Sequence, residues 1–338
     1  MSAIEQTFDP VDMFCRYLTS LGRADGTVDL YRNAITLTQR HLGAGTDLLA
    51  ASGAELKRVY MLSDWAATLA PQTKITYGRF VATYLEWAAH DAELIEQAPT
   101  AALRGYLGQI KPGQQGLPTF LPYAELERLA TQLWTTSFDP QRNVAVFWVM
   151  AGAGARLTET LRLHTDDLDL EDDVVRFIRH TKGGRERLVP LNPVVRRALK
   201  DWLRVRVHPS DVLFNAAWGG PYLAPRDVQK LLHRVASQLV DEQGRPMQRW
   251  LCHLHDNACK PKGPNNPDGC TRGHWRVHPH TLRHSFAVES LRSGACTLVE
   301  LRDMLGHESI ATTNIYANAV KDEAATTRFK RRWGRGGT

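Results

Sequence analysis

The chain has 338 residues and a formal net charge of +6. This length exceeds the usual size of one domain, so we expect two domains of unequal size, each with its own core. The longest apolar runs are too short to span a membrane, and the first residues lack the basic and apolar pattern of a signal peptide. We therefore expect a cytoplasmic protein with no membrane partner.

The charge is unevenly distributed along the chain. Residues 1–112 carry 10 Lys and Arg against 12 Asp and Glu, whereas residues 113–338 carry 32 against 24. A basic surface on the second part is compatible with a polyanionic partner such as nucleic acid, because neutralised phosphates release counterions. Charge alone does not identify that partner.

The first part of the chain is predicted to be helical. Its apolar residues recur at helical spacing, and Gly22, Pro71 and Pro99 interrupt the pattern. The predicted helices are Val11 to Leu21, Thr27 to Leu42, Leu56 to Leu69 and Thr73 to Ala89. Residues 1–111 therefore read as an all-helical domain, and the Pro- and Gly-rich residues 112–119 read as a linker.

The second part, residues 120–338, is predicted to be mainly helical with one small antiparallel β-sheet. A hairpin is expected where Val174 to His180 and Arg187 to Leu191 flank the turn residues around Gly183. Asn192 precedes Pro193 and is expected to cap a helix that runs to Val205. The other predicted helices are Tyr123 to Trp134, Arg142 to Gly152, 225–240, Thr281 to Ser293, Thr297 to Leu305 and Ile310 to Ala317.

Four separated segments of this second part form a pattern. They are Ala153-Gly-Ala-Arg156-Leu-Thr-Glu159-Thr-Leu-Arg-Leu163, Thr181-Lys182-Gly-Gly-Arg-Glu-Arg-Leu-Val-Pro-Leu191, His280-Thr-Leu-Arg283-His284, and Leu305-Gly-His307-Glu-Ser-Ile-Ala-Thr-Thr-Asn-Ile-Tyr316. In this order they resemble the arginine, lysine, histidine-arginine and tyrosine boxes of the tyrosine recombinase (phage integrase) family. Taken singly, each residue is also common at a cap, a surface or a packing position.

The resemblance implies an enzyme that cleaves and rejoins DNA with Tyr316 as covalent nucleophile. Arg156 and Arg283 would bind the non-bridging phosphate oxygens, on which negative charge grows during attack. The family further implies that His280 acts as acid or base, that Lys182 protonates the leaving oxygen and that His307 donates to the phosphate.

The same resemblance gives Glu159 a supporting role, because it lies one turn after Arg156 and would hold that guanidinium in place. It implies no cofactor for catalysis, since a 3′-phosphotyrosine conserves the energy of the diester. His284 follows Arg283 directly and would point elsewhere on the helix, so we interpret it as structural.

Two other functions share parts of this pattern. A type IB topoisomerase uses similar chemistry to relax DNA, and a non-catalytic DNA-binding protein could keep the fold without the reaction. Strand exchange between two duplexes separates the first alternative from recombination. The second predicts a broken active site, whereas every position expected by resemblance is filled.

The resemblance also implies a DNA partner and an assembly, and basic residues supply candidate DNA contacts. The resemblance implies double-stranded DNA with specific sites as the partner, a tetramer on that DNA, and a first domain that serves as a DNA clamp. The predicted helix that carries Arg226, Lys230, His233 and Arg234 is a candidate for the major groove. Candidate phosphate contacts are Lys74, Arg79 and the basic tail with Arg328, Lys330, Arg331, Arg332 and Arg335. A solvated charged helix face explains each of these residues equally well.

A Cys- and His-rich insertion at about residues 245–277 is not explained by the resemblance. Its candidate metal ligands are Cys252, His255, Cys259, Cys270 and His274. Their spacing suits a structural, tetrahedral Zn²⁺ bound by four of the five. A loop with reduced thiols is the alternative interpretation.

Overall fold

The computed structural model describes residues 9–43, 46–111, 118–178, 186–207, 210–216, 222–252 and 273–320. The described chain divides into two units, one formed by residues 9–111 and the other by residues 118–320. None of the described helices combines the length and the apolar composition needed to cross a bilayer.

The first unit is helical throughout its described part. Its core gathers aromatic side chains from three helices, and the rings of Phe14 and Tyr84 meet edge to face with centroids 5.3 Å apart. Such ring pairs add to the stabilisation gained by burying apolar surface. The helices are α1 (Pro10–Ser20), α2 (Asp25–Leu42), α3 (Gly53–Leu62), α4 (Asp64–Thr68), α5 (Pro71–His90) and α6 (Ala101–Gln109).

The single helix predicted from Leu56 to Leu69 is wrong, because Ser63 divides it into α3 and α4. The Ser63 hydroxyl donates to the carbonyl of Val59 and accepts from the backbone N–H of Ala66 at 3.1 Å. One residue therefore ends one helix and caps the next. Helix α6 was not predicted from the sequence.

The second unit is built around one almost fully buried helix. This helix, α8, packs against α7, α10 and α12, which explains its near-continuous apolar sequence from Val144 to Met150. The helices of this unit are α7 (Tyr123–Thr136), α8 (Pro140–Gly152), α9 (Leu157–Leu161), α10 (Pro193–Val205), α11 (Pro225–Ser237), α12 (Pro279–Arg292), α13 (Leu298–Leu305) and α14 (residues 310–320).

The predicted hairpin is present, and a third short strand extends it. Strands β1 (Leu168–Asp169), β2 (Val174–Phe177) and β3 (Arg187–Pro190) form an antiparallel sheet in that order. In the β2–β3 ladder, Phe177 pairs with Arg187. The predicted fold class, mainly α with a small antiparallel sheet, is confirmed.

A second sheet, which the sequence did not predict, frames the insertion. Strands β4 (Trp250–Cys252) and β5 (Gly273–Trp275) pair antiparallel, with Cys252 opposite Gly273. Next to them, Met247 and Val277 are fully buried in the core of the unit. The described ends of the insertion therefore belong to the folded unit, whereas the sequence suggested a polar excursion.

Candidate active site

Arg156 lies where the buried helix α8 gives way to the short helix α9. The chain turns there through Gly154, whose φ of +64° is a left-handed conformation that suits glycine. Arg156 occupies the N-cap position of α9, and the Glu159 carboxylate accepts both its backbone N–H at 3.0 Å and its guanidinium Nη1 at 2.6 Å. One carboxylate thus caps the helix and orients the arginine.

Glu159 holds a second arginine, Arg187, that the sequence analysis did not select. The Arg187 guanidinium bonds to both carboxylate oxygens, stacks 4.4 Å from the centroid of Phe177, and donates from Nε to the carbonyl of Met304 at 2.8 Å. It therefore links the β-sheet, Glu159 and the end of α13. Desolvation works against the Glu159 carboxylate, but the hydrogen bonds and charges of the two arginines outweigh it and lower its pKa.

Arg283 is the most deeply placed cation of the site, with 4% of its surface exposed. It lies on the inner side of α12 and donates to the carbonyls of Gly154 at 2.7 Å and Leu305 at 2.6 Å. Burial, followed by repulsion from Arg156, lowers the pKa of Arg283 to about 9. Arg283 therefore stays charged at neutral pH in a place that would gain from an added anion.

His307 is held in one tautomer by its two neighbours. It follows Gly306, which ends α13 in the left-handed conformation with φ of +64°. Its Nε2 lies 3.1 Å from Arg283 Nη2, and its Nδ1 lies 2.9 Å from the Thr313 hydroxyl. Because a guanidinium only donates, Nε2 accepts and Nδ1 carries the proton.

Electrostatics agree with this neutral form of His307. Desolvation first, and then the charges of Arg283, Arg156 and Arg187, lower its pKa to about 4. A phosphate would reverse this balance, since its charge favours a proton on Nε2.

Tyr316 extends from α14 into the same cluster and is 2% exposed. Its ring stacks near that of His307 with centroids 6.4 Å apart, and its hydroxyl lies 2.8 Å from His284 Nδ1. Desolvation raises the pKa of Tyr316, while Arg283 and Arg156 act in the opposite direction. The hydroxyl thus meets a histidine that the sequence analysis set aside as structural.

The sequence contains a signal that could have selected His284. It lies four residues after His280, so the two rings share a face of α12; their centroids are 6.5 Å apart. His280 itself lines a cavity of about 590 Å³ together with Arg156, Gln229 and Trp275. Desolvation and then the charges of Arg283 and Arg156 lower the pKa of His280.

Some of the predicted DNA-contact residues are described by the structure, whereas Lys182 and the basic tail are not. Arg226, Lys230 and Arg234 are exposed at four-residue spacing along α11, whose opposite side is buried through Val228, Leu232, Val235 and Ala236. In α5, Arg79 is exposed and Lys74 is half-buried. Lys182 and the basic tail from Arg328 to Arg335 lie outside the described residues.

The candidate zinc ligands also lie mostly outside the described residues. His255, Cys259 and Cys270 are not described, and Cys252 and His274 are described through their backbone, in the paired strands β4 and β5. Among the described residues, no group of three or more His, Cys, Asp or Glu side chains is arranged to hold a metal ion. The described structure therefore offers no support for the zinc site.

Three residues that the resemblance selected, Arg283, His307 and Tyr316, lie in one cluster of a mainly helical domain: Arg283 is 3.1 Å from His307, and the rings of His307 and Tyr316 are 6.4 Å apart. Residues 119–323 match the model of the phage integrase family, and the chain belongs to that family of tyrosine recombinases. The resemblance inferred from the four boxes is thereby confirmed.

Curated relatives are named tyrosine recombinase XerC. That of Mesorhizobium japonicum is 33% identical over 230 residues, which are 66% of this chain and 61% of the relative, so the match spans less than two thirds of the relative's length. That of Chromobacterium violaceum is 27% identical over 310 residues, which are 91% of this chain and 89% of the relative.

Solved structures show the same fold. The Tn1549 transposon integrase in complex with transposon right end DNA has a TM-score of 0.63 at 18% identity, covering 97% of this chain and 100% of that chain. The XerH site-specific recombinase, in a post-cleavage complex with palindromic difH substrate, has a TM-score of 0.63 at 20% identity, covering 94% and 83%.

Proposed function

We propose that this protein is a site-specific recombinase that cleaves DNA with Tyr316 and rejoins it to a new partner, for integration, excision or transposition of a DNA element. The observation that carries the proposal is one cluster around Tyr316: its ring lies 6.4 Å from that of His307, His307 Nε2 lies 3.1 Å from Arg283 Nη2, and the charges of Arg283 and Arg156 favour the phenolate. Arg283 is 4% exposed and donates to two neutral carbonyls and to His307, so its charge suits a phosphodiester oxygen.

The residues divide the chemistry between charge and proton transfer. Arg156 and Arg283 bind the non-bridging oxygens. The Glu159 carboxylate orients Arg156 in advance, and the Gly154 carbonyl orients Arg283. Such fixed donors lower the barrier because they need no reorganisation as charge develops. His307 donates from Nε2 once the phosphate favours a proton there.

Proton transfer completes the reaction. Tyr316 loses a proton as it attacks, and Lys182 supplies one to the departing 5′ oxygen, because an alkoxide is a poor leaving group. His280, at the cavity beside Arg156, acts as acid or base towards the DNA. In the reverse direction, the 5′ hydroxyl of a second strand attacks the phosphotyrosine.

Trapping on a suicide DNA substrate tests the proposal. The wild-type protein should form a covalent protein–DNA adduct, and Tyr316→Phe should form none. Tyr123→Phe, at a tyrosine that is 42% exposed, is the matched control and should form the adduct normally. An adduct with Tyr316→Phe, or none with the wild type, would overturn the proposal; strand exchange between two labelled duplexes then separates recombination from relaxation alone.

The proposed partner is double-stranded DNA at specific sites, bound by a tetramer and located in the cytoplasm. The exposed row of Arg226, Lys230 and Arg234 on α11 supports a phosphate-contacting face. We assign Lys74 and Arg79 of the predicted first domain, residues 1–111, to a DNA clamp. Binding measured at several salt concentrations tests these contacts, because each phosphate contact adds to the salt dependence.

A structural zinc in the insertion remains a separate proposal, supported by the Cys and His spacing. The β4–β5 pairing also brings the two ends of the insertion together. Protein purified without chelator should contain about one zinc per chain. Cys259→Ser and Cys270→Ser should lose it, whereas Cys296→Ser, at a cysteine outside the insertion, should keep it. Metal-free wild type of normal thermal stability would refute the proposal.

A further inference from the structure

The hydroxyl of Tyr316 has a nitrogen base as its neighbour. His284 Nδ1 lies 2.8 Å from the hydroxyl oxygen, and the two ring centroids are 5.6 Å apart. His284 is half-buried on α12, one residue after Arg283, while Tyr316 is supplied by α14. The contact therefore joins two helices at the reacting atom itself.

We propose that His284 is the base that removes the proton of Tyr316 during DNA cleavage and returns it during rejoining. This inference rests on the proposed function and reassigns one step, because the family resemblance gave acid and base work to His280. His284 touches the reacting oxygen, so its role is catalytic.

The other described basic side chains near the hydroxyl are poorer proton acceptors. Arg156 and Arg283 have no lone pair to offer. His307 uses Nε2 to accept from Arg283 and turns Nδ1 towards Thr313. His280 lies at the cavity, with its ring 6.5 Å from that of His284. Among the described residues around this hydroxyl, the geometry thus favours His284.

The step balances without a co-reactant beyond the DNA and Lys182. With its proton on Nε2, His284 accepts the phenolic proton at Nδ1 and becomes an imidazolium. The Tyr316 oxygen bonds to phosphorus, the bond from phosphorus to the 5′ oxygen breaks, and Lys182 protonates that oxygen. In rejoining, the 5′ hydroxyl attacks phosphorus and gives its proton back to the neutral Lys182 amine. The phosphotyrosine bond breaks, and the imidazolium returns its proton to Tyr316.

A need for such a base follows from the burial of the nucleophile. Desolvation raises the pKa of Tyr316, so the phenolate is scarce at neutral pH without an acceptor in contact. General acid–base groups contribute roughly 10²–10⁴-fold to reaction rates. His284→Asn keeps an acceptor oxygen near the Nδ1 position but cannot hold a proton, so it separates proton transfer from positioning.

The experiment measures the single-turnover rate of adduct formation. We expect His284→Asn and His284→Ala to slow it by roughly 10²-fold or more, with DNA binding and thermal unfolding unchanged. Added imidazole should partly restore His284→Ala. His90→Asn, at an exposed histidine ending α5, is the matched control and should react like the wild type.

A substrate with sulfur in place of the 5′ bridging oxygen distinguishes base from acid. A thiolate leaves without a proton, so this substrate should rescue Lys182→Ala but neither His284 variant. Wild-type rates for His284→Asn, or its rescue by the sulfur substrate, would overturn the inference. If the wild type forms no adduct at all, the proposed function itself fails, which is a separate outcome.

Discussion

Replacing Glu159 by Gln tests the buried ion-pair network that organises the site. The Glu159 side chain is 1% exposed and that of Arg187 is 5% exposed, so Glu159→Gln leaves a desolvated guanidinium without its counter-charge. Breaking a buried pair in this way typically costs about 3–5 kcal/mol. For a unit of this size, each kcal/mol lowers Tm by about 2–4 °C, so we expect a decrease of roughly 6–20 °C.

Thermal and urea unfolding measure the effect, with two comparisons. Asp201→Asn removes an exposed pair, Arg204–Asp201, and should change the free energy of unfolding by less than about 1 kcal/mol. The double variant Glu159→Met, Arg187→Met removes both charges of the most buried pair and leaves only Arg156, whose side chain is 22% exposed, without its carboxylate, so it should recover part of the loss. A Glu159→Gln protein within about 1 kcal/mol of the wild type would refute the reasoning.

The stabilisation contributed by the same ion-pair network should depend on pH. Glu159 has a pKa below its unfolded value of about 4.3. Its stabilisation is therefore complete above pH 4.3 and is lost as the pH falls through the lower, folded pKa. The difference in unfolding free energy between wild type and Glu159→Gln should shrink in that acidic range; a difference that grows there would contradict the assignment.

Three further predictions concern neighbouring features. The pKa of His307 is about 4 in the folded protein and about 6.5 in the unfolded chain, so the free energy of unfolding should decrease as the pH is lowered from 6.5 to 4. His307→Asn should remove that part of the decrease, which urea titrations at each pH measure. Gly154→Ala should lower both Tm and adduct yield, because its Cβ would lie 2.4 Å from Phe286 in a left-handed conformation; unchanged values would contradict this. Arg234→Ala should reduce the salt slope of DNA binding by about 1, and an unchanged slope would exclude a phosphate contact.

The helices and the four boxes were largely predictable because their signals are local. Helical spacing of apolar residues located most helices of both units, and the cap at Asn192 is formed, with its side chain accepting from Val194 and Val195. The break at Ser63 was not predicted, since a serine in an amphipathic run does not disclose whether it caps a helix or faces solvent.

The missed features depend on contacts between distant segments. Strands β4 and β5 have three residues each and pair across the insertion, so no local periodicity marks them. Arg187 shares the inner face of β3 with the buried Val189, a place where the sequence pattern favours an apolar residue. The contact of His284 with the Tyr316 hydroxyl exists only in the folded protein, where α14 brings Tyr316 against α12.

The pairing of Cys252 with Gly273 has a consequence for how this protein varies and can be redesigned. Antiparallel strands can be joined by a turn of two residues, and here the paired positions border residues 253–272. A two-residue turn could therefore join β4 to β5 in place of that stretch, because Met247 and Val277, beside the two strands, are buried in the core. A variant with an Asn-Gly turn in its place should keep the β4–β5 pairing, and its thermal unfolding would measure what the stretch contributes to stability.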